Sequence, residues 1–152
     1  MRILWVALLF ASTVAADPKP KDPDLVVSWT VGERSRDMSL TVTTLSVTGT
    51  KLHYVQKQLG RGFGMSEPKP TELDATVKDP KKVAAALAAL DKIKATPVKN
   101  GGDPTAYNLR SGCVRRGKVE RCVEASGQDK DPADLKAIAA LRDAILDGVK
   151  LP

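Results

Sequence analysis

Two cysteines, one histidine and a dense run of arginines are the residues of this chain whose types and spacing could do chemistry. Cys113 and Cys122 flank Val-Arg-Arg-Gly-Lys-Val-Glu-Arg, a run of strand formers with Gly117-Lys118 at its middle. A two-residue turn there places glycine where a type II′ hairpin needs positive φ. Counting outward, Arg116 faces Val119, Arg115 faces Glu120, Val114 faces Arg121 and Cys113 faces Cys122. Pairs alternate along such a ribbon, so the cysteines fall at a non-hydrogen-bonded pair. The Cα atoms of that pair stand ~4.5 Å apart, which a disulfide accepts. One disulfide across a hairpin is the expectation.

The same segment carries Arg110, Arg115, Arg116, Lys118 and Arg121, with Glu120 and Glu124 as partial counterweights. Alternation puts Arg110, Arg116 and Arg121 on one face with Val114, Val119 and Val123. Tyr107, Leu109, Cys113 and Cys122 take the other with Arg115 and Glu120. Both faces are mixed, so either could meet the core. If the Val face is buried, the three arginines must reach past the sheet edge to water. These five basic residues are the candidate binding residues, because a basic stripe attracts an acidic protein or an anionic envelope polymer. Nucleic acid is not favoured: aromatic residues make up 4% of the chain, too few to build a stacking platform beside a core.

Other chemistry is scarce. His53 alternates with Leu52 and Tyr54 and reads as the solvent-side residue of a half-buried strand; no nucleophile setting surrounds it in sequence. One histidine and two paired cysteines cannot make a zinc tetrad. Asp129, Asp131 and Asp134 resemble the start of a calcium loop, but Pro132 opens a helix where the loop would continue, and helix capping is the reading for these acids. Gly60-Arg61-Gly62-Phe63-Gly64 lacks both the lysine spacing and the following helix of a phosphate loop. No catalytic motif, metal set or cofactor fingerprint is recognisable, and no cofactor is expected.

The elements that must position these residues begin after a leader. Arg2, the apolar run Ile3 to Phe10, and Val14 and Ala16 at the −3 and −1 positions form a signal-peptide pattern over residues 1–16. Export fits an even pair of cysteines, since disulfides persist in oxidising compartments. Residues 17–24, rich in Pro, Lys and Asp, read as a tether, and 25–152 as a single small domain. Strands are expected at Leu25 to Val31, Met38 to Val47 and Leu52 to Gln58, with a bulge near Thr43-Thr44 where the apolar parity switches. Residues 60–72 read as a loop with a short edge segment around Phe63. Helices open at Asp79-Pro80 and Asp131-Pro132, each with aspartate as cap and proline at the first position. Their stripes are Val83, Ala86, Leu87, Leu90, Ile93 and Leu135, Ile138, Leu141, Ile145, with Gly148 as the stop.

The fold class read from this order is α+β: an antiparallel sheet of about five strands with two helices on one face, in the order β-β-β-α-β-β-α. The functional expectation is a small binding domain, periplasmic or secreted, contacting an anionic or acidic partner through the disulfide-closed hairpin. Two alternatives stand beside it: an exported protease inhibitor using the Cys113–Cys122 loop, and a small enzyme without a recognisable motif.

Overall fold

The computed structural model describes residues 23–33, 39–60, 68–97, 108–127 and 130–152. The expected leader, most of the tether, the turn over 34–37, the glycines at 62 and 64 with Phe63, the loop over 99–105, Tyr107 and Asp129 lie outside the described residues. The order is β1 (Leu25–Glu33), β2 (Ser39–Thr48), β3 (Lys51–Gly60), β4 (Thr71–Thr76), α1 (Pro80–Asp91), β5 (Leu109–Arg116), β6 (Val119–Ala125) and α2 (Ala133–Leu146). The strands form one six-stranded antiparallel sheet in the order β4-β3-β2-β1-β5-β6. The α+β class and the helices on one face match the sequence reading. The strand count does not: β4 begins in the last two residues of the stretch read as a loop and continues through 73–76, where no element was expected. Its few apolar side chains, Leu73 and Ala75, alternate too briefly to signal a strand, yet six residues suffice to pair with β3.

The expected bulge in β2 is also absent. Pairing runs without interruption from Leu25↔Val47 to Glu33↔Ser39 and from Ser39↔Gly60 to Thr48↔Lys51. The parity switch has another cause. Leu45 and Val47 are buried on the helix side with Val27, Leu25, Leu52 and Tyr54. Leu40 and Val42 point to the opposite face, where Leu40 lies between Gly32 and Leu59. One straight strand therefore carries apolar residues on both faces.

Three strand-to-strand hairpins make β1–β4, and α1 then carries the chain across the sheet so that β5 can pair with the free edge of β1. The Val77 N–H bonds to Thr50 O beside β4, while Arg116 on β5 holds Asp91 at the other end of α1. The helix opens as expected: the Asp79 carboxylate accepts from Lys82 N at 3.0 Å and Pro80 is helical. α2 does not use its expected cap. Pro132 occupies the cap position with no side-chain bond, because Asp131 is engaged by Arg110. α2 runs antiparallel to α1, with Lys82 paired to Asp147 near its end, and Gly148 stops it at φ 70°.

The core lies between helices and sheet: Leu135, Ile138, Leu141 and Ile145 of α2 are fully buried against Val27, Trp29, Val114 and Val123. Each such side chain contributes about 1.5–3 kcal/mol by leaving water. Gly112 sets the closest approach. A Cβ there would meet Ile138 Cγ2 at 2.8 Å and the Trp29 ring at 3.1 Å. Arg142 on α2 lies over the Trp29 ring, 4.7 Å from its centroid.

Candidate functional site

The cysteine hairpin folds in the register expected from sequence. Arg116↔Val119, Arg115↔Glu120, Val114↔Arg121 and Cys113↔Cys122 are partners, and the cysteines are disulfide-bonded with Cα atoms 4.1 Å apart. Gly117 has φ 54°, whereas Lys118 is not among the residues with positive φ, which defines a type II′ turn. The question left open by the alternation is answered by Val114 and Val123, both buried: the Val face meets the helices.

This choice determines what each basic residue can do. Arg110, Arg116 and Arg121 point to the helix side and each meets an aspartate. Arg110 Nε donates to Asp131 at 2.7 Å and its Nη1 to the carbonyls of Asn108 and Gly127. Arg116 forms a two-pronged bond with Asp91, Nη1 lying 3.0 Å from Oδ2. That bond holds the exposed Asp91 carboxyl below its ordinary pKa. Arg121 donates through Nη1 to Leu90 O at the end of α1, and its Nη2 lies 3.4 Å from Asp134. None of the three reaches past the edge to open water as a free cation.

Asp134 is the one buried charged residue of the described core, 1% exposed. Its carboxylate accepts from Thr96 N at 2.8 Å, Thr96 Oγ1 at 2.7 Å and Leu135 N at 3.1 Å, besides Arg121. Burial pushes this carboxyl up, but the Thr96 hydrogen bonds, with help from Arg121 and the backbone, outweigh it and hold the group below its ordinary value. Asp131 and Asp134, read from sequence as caps, are thus the anchors of the basic hairpin. No local signal could have paired them with arginines upstream on separate strands.

The two remaining hairpin candidates are Arg115, on the uncovered face opposite Glu120, and Lys118 in the turn. Neither has an ion-pair partner among the described residues. Val119 beside them is 69% exposed. At the same end of the molecule lies α1, whose exposed side carries Lys81 and Lys92 with Ala84, Ala85, Ala88 and Ala89 between them. These lysines also lack ion-pair partners among the described residues. Of the acids nearby, Asp79 caps α1, Asp91 holds Arg116 and Asp24 accepts from Gly49 N at 2.9 Å, while Glu120 stands across the hairpin from Arg115.

The sheet face that neither described helix covers holds a second group of polar residues. His53 is solvent-exposed, as its alternation implied, but two partners invisible in sequence flank it. Asp74 on β4 and Ser46 on β2 stand directly opposite it on either side. His53 Nδ1 lies 2.7 Å from Asp74 Oδ1. An open groove of about 1010 Å³ runs over this row, lined also by Pro23, Thr48, Lys51 and Thr76. Trp29 and Tyr54, by contrast, lie beneath the helices and are not available on this face.

Among the described residues no group of three or more His, Cys, Asp or Glu could hold a metal ion, and no helix is long and apolar enough to cross a membrane. The chain matches no protein-family model, and no curated protein or solved structure is significantly similar to it.

Proposed function

We propose that this chain is an exported binding domain that takes an acidic protein segment at the end where α1 crosses the sheet and the β5–β6 turn projects. One observation carries the reading. Lys81 and Lys92 on α1 and Lys118 in the β5–β6 turn have no ion-pair partner among the described residues, while Asp79 caps α1 and Asp91 holds Arg116; Arg115 lies beside the turn on the other sheet face, across from Glu120. Four alanines and Val119 lie between and beside these cations. Apolar patches within a charged rim suit a protein partner better than a hydrated polymer. Export rests on the leader pattern of residues 1–16, with the disulfide in agreement. The inhibitor alternative is less well supported: Arg115 and Arg116 are paired to β6 inside a tight hairpin, and Arg116 is held by Asp91.

The test is a salt titration of binding to poly-glutamate, with heparin and anionic vesicles in parallel. Binding to poly-glutamate should fall steeply between 50 and 300 mM salt, because exposed charges are screened over ~10 Å at 0.1 M. The Arg115→Glu/Lys118→Glu and Lys81→Glu/Lys92→Glu variants should each weaken it at unchanged Tm. Equal binding by both variants would overturn the reading, and preference for heparin or vesicles would replace the protein partner.

A further inference from the structure

Independently of that contact end, the uncovered sheet face places a serine, a histidine and an aspartate at one level on three adjacent strands. Ser46 of β2 stands opposite His53 of β3, which stands opposite Asp74 of β4, so all three side chains project to the same side. Their order matters. Asp74 touches His53 through Nδ1 at 2.7 Å. An ionised carboxylate can only accept, so Nδ1 carries the hydrogen, and in the neutral ring the lone pair is then on Nε2. The lone-pair nitrogen is the one a general base uses, and the carboxylate fixes both tautomer and ring orientation. On the side of His53 away from Asp74 stands the Ser46 hydroxyl. Directly opposed residues have Cβ atoms about 4.5–5.5 Å apart, which makes the Ser46 hydroxyl and the imidazole neighbours on one face.

The surroundings admit a substrate. All three residues line the same open groove, and Lys51 lies two residues before His53 on the same face of β3. Lys51 has no ion-pair partner among the described residues. Thr48 and Thr76, its neighbours across β2 and β4, add hydroxyls to the same end of the groove.

We propose that Ser46 is a nucleophile for acyl transfer from small esters, with His53 as its base, Asp74 as a positioning residue and Lys51 as the cation facing the developing oxyanion. Ser46 Oγ forms a bond to the ester carbonyl carbon as its proton passes to His53 Nε2. The carbon–oxygen bond to the alcohol then breaks, and the leaving alkoxide takes that proton from Nε2. Water next attacks the acyl-Ser46 carbonyl, giving its proton to Nε2. The Oγ–carbon bond breaks, Ser46 recovers the proton and the carboxylic acid departs. The balance is ester and water to acid and alcohol, with no other reactant.

The test uses p-nitrophenyl acetate with the full chain lacking residues 1–16, following p-nitrophenolate release and locating acetyl groups by mass spectrometry after acid quenching. Acetyl on Ser46 is expected, with at least a tenfold loss of rate in Ser46→Ala and in His53→Ala. Asp74→Asn should lower kcat with KM unchanged, a split that a merely structural residue would not produce. All three positions face solvent on the uncovered side, and thermal melts of the variants establish that they are folded. A Ser46→Ala variant that hydrolyses as fast as the parent overturns the proposal, as does acetyl found only on lysines or on His53.

Discussion

Removing the Asp134 carboxylate should be among the most damaging single changes to this fold. Asp134→Ala deprives the Thr96 N–H and hydroxyl of their acceptor and strips Arg121 of its charged partner, all in a place where Asp134 is 1% exposed. Breaking a buried charged hydrogen-bond network in this way costs about 3–5 kcal/mol. Arg121 is 22% exposed and can turn partly toward water, so the lower end applies, about 3 kcal/mol. At roughly 2.1 cal/mol/K per residue of unfolding entropy, a domain of this size loses about 4 °C per kcal/mol, giving a Tm drop of about 12 °C. The pH dependence follows from the lowered carboxyl. A carboxylate whose folded pKa is depressed gives its stabilisation in full above the unfolded value, about 3.9, and loses it as pH falls through the folded value. The Tm gap between the parent and Asp134→Ala should therefore be constant from pH 5 to 7 and narrow as pH falls below about 4. Calorimetric melts across pH 2.5–7 measure both quantities. A gap under about 4 °C at neutral pH, or one unchanged between pH 6 and 3, refutes the assignment of Asp134 as the keystone acceptor.

Gly112→Ala should lose about 1–3 kcal/mol in a denaturant titration, because the new methyl meets Ile138 and the Trp29 ring inside normal contact distance. Replacing both cysteines by serine should lower Tm without abolishing folding. The chain-entropy model gives at most about 2.7 kcal/mol for this short loop, and a hairpin with a good turn already offsets part of that. Two free thiols in a denatured, unreduced sample would disprove the bridge itself. Arg121→Ala should cost about 1–2 kcal/mol, moderated because its Nε is buried without a partner in the parent. Arg115→Ala should change stability by less than about 0.5 kcal/mol; equal losses for these two arginines would contradict their placement on opposite faces.

The parts legible in sequence were those set by short-range rules. The hairpin register follows from one glycine and the period of two, and it placed Cys113 against Cys122 without help from the rest of the chain. Asp79-Pro80 announced α1 through capping and a fixed φ. What was not legible depended on partners far apart in the chain. Asp131 has the same local setting as Asp79, but Arg110, on β5, takes its carboxylate and leaves α2 without a side-chain cap. β4 becomes a strand because β3 offers it an edge. The uncovered face explains the misread bulge: Leu40 and Val42 point outward from a continuous strand, so their parity carried no information about a break. The Ser46–His53–Asp74 row required two registers at once, and neither serine nor aspartate stands near His53 in sequence.

A cluster of like charges in sequence is therefore a poor guide to a charged surface when it falls on a strand. Arg115 and Arg116 are adjacent in the chain and leave the sheet on opposite sides, one beside Glu120 and the other in an exposed pair with Asp91 on the helix side. Strand alternation divides the run, and each inward arginine meets a carboxylate from the helical layer; for the part-buried Arg110 and Arg121 an unpaired cation would be costly, whereas the Arg116 pair is exposed. The arginines so used fasten the hairpin to both helices: Arg116 and Arg121 to the end of α1, Arg121 to the start of α2 and Arg110 to Asp131, just before its cap Pro132. What remains of the positive charge at this end comes from a different combination of elements, the lysines of α1 with Arg115 and Lys118 at the turn. These residues are up to 37 positions apart in the chain, from Lys81 to Lys118, and are joined only because α1 crosses the sheet to finish beside Arg116. The contact surface proposed above owes its position to the same arginine–aspartate pairs that engage three of the five basic residues of the hairpin.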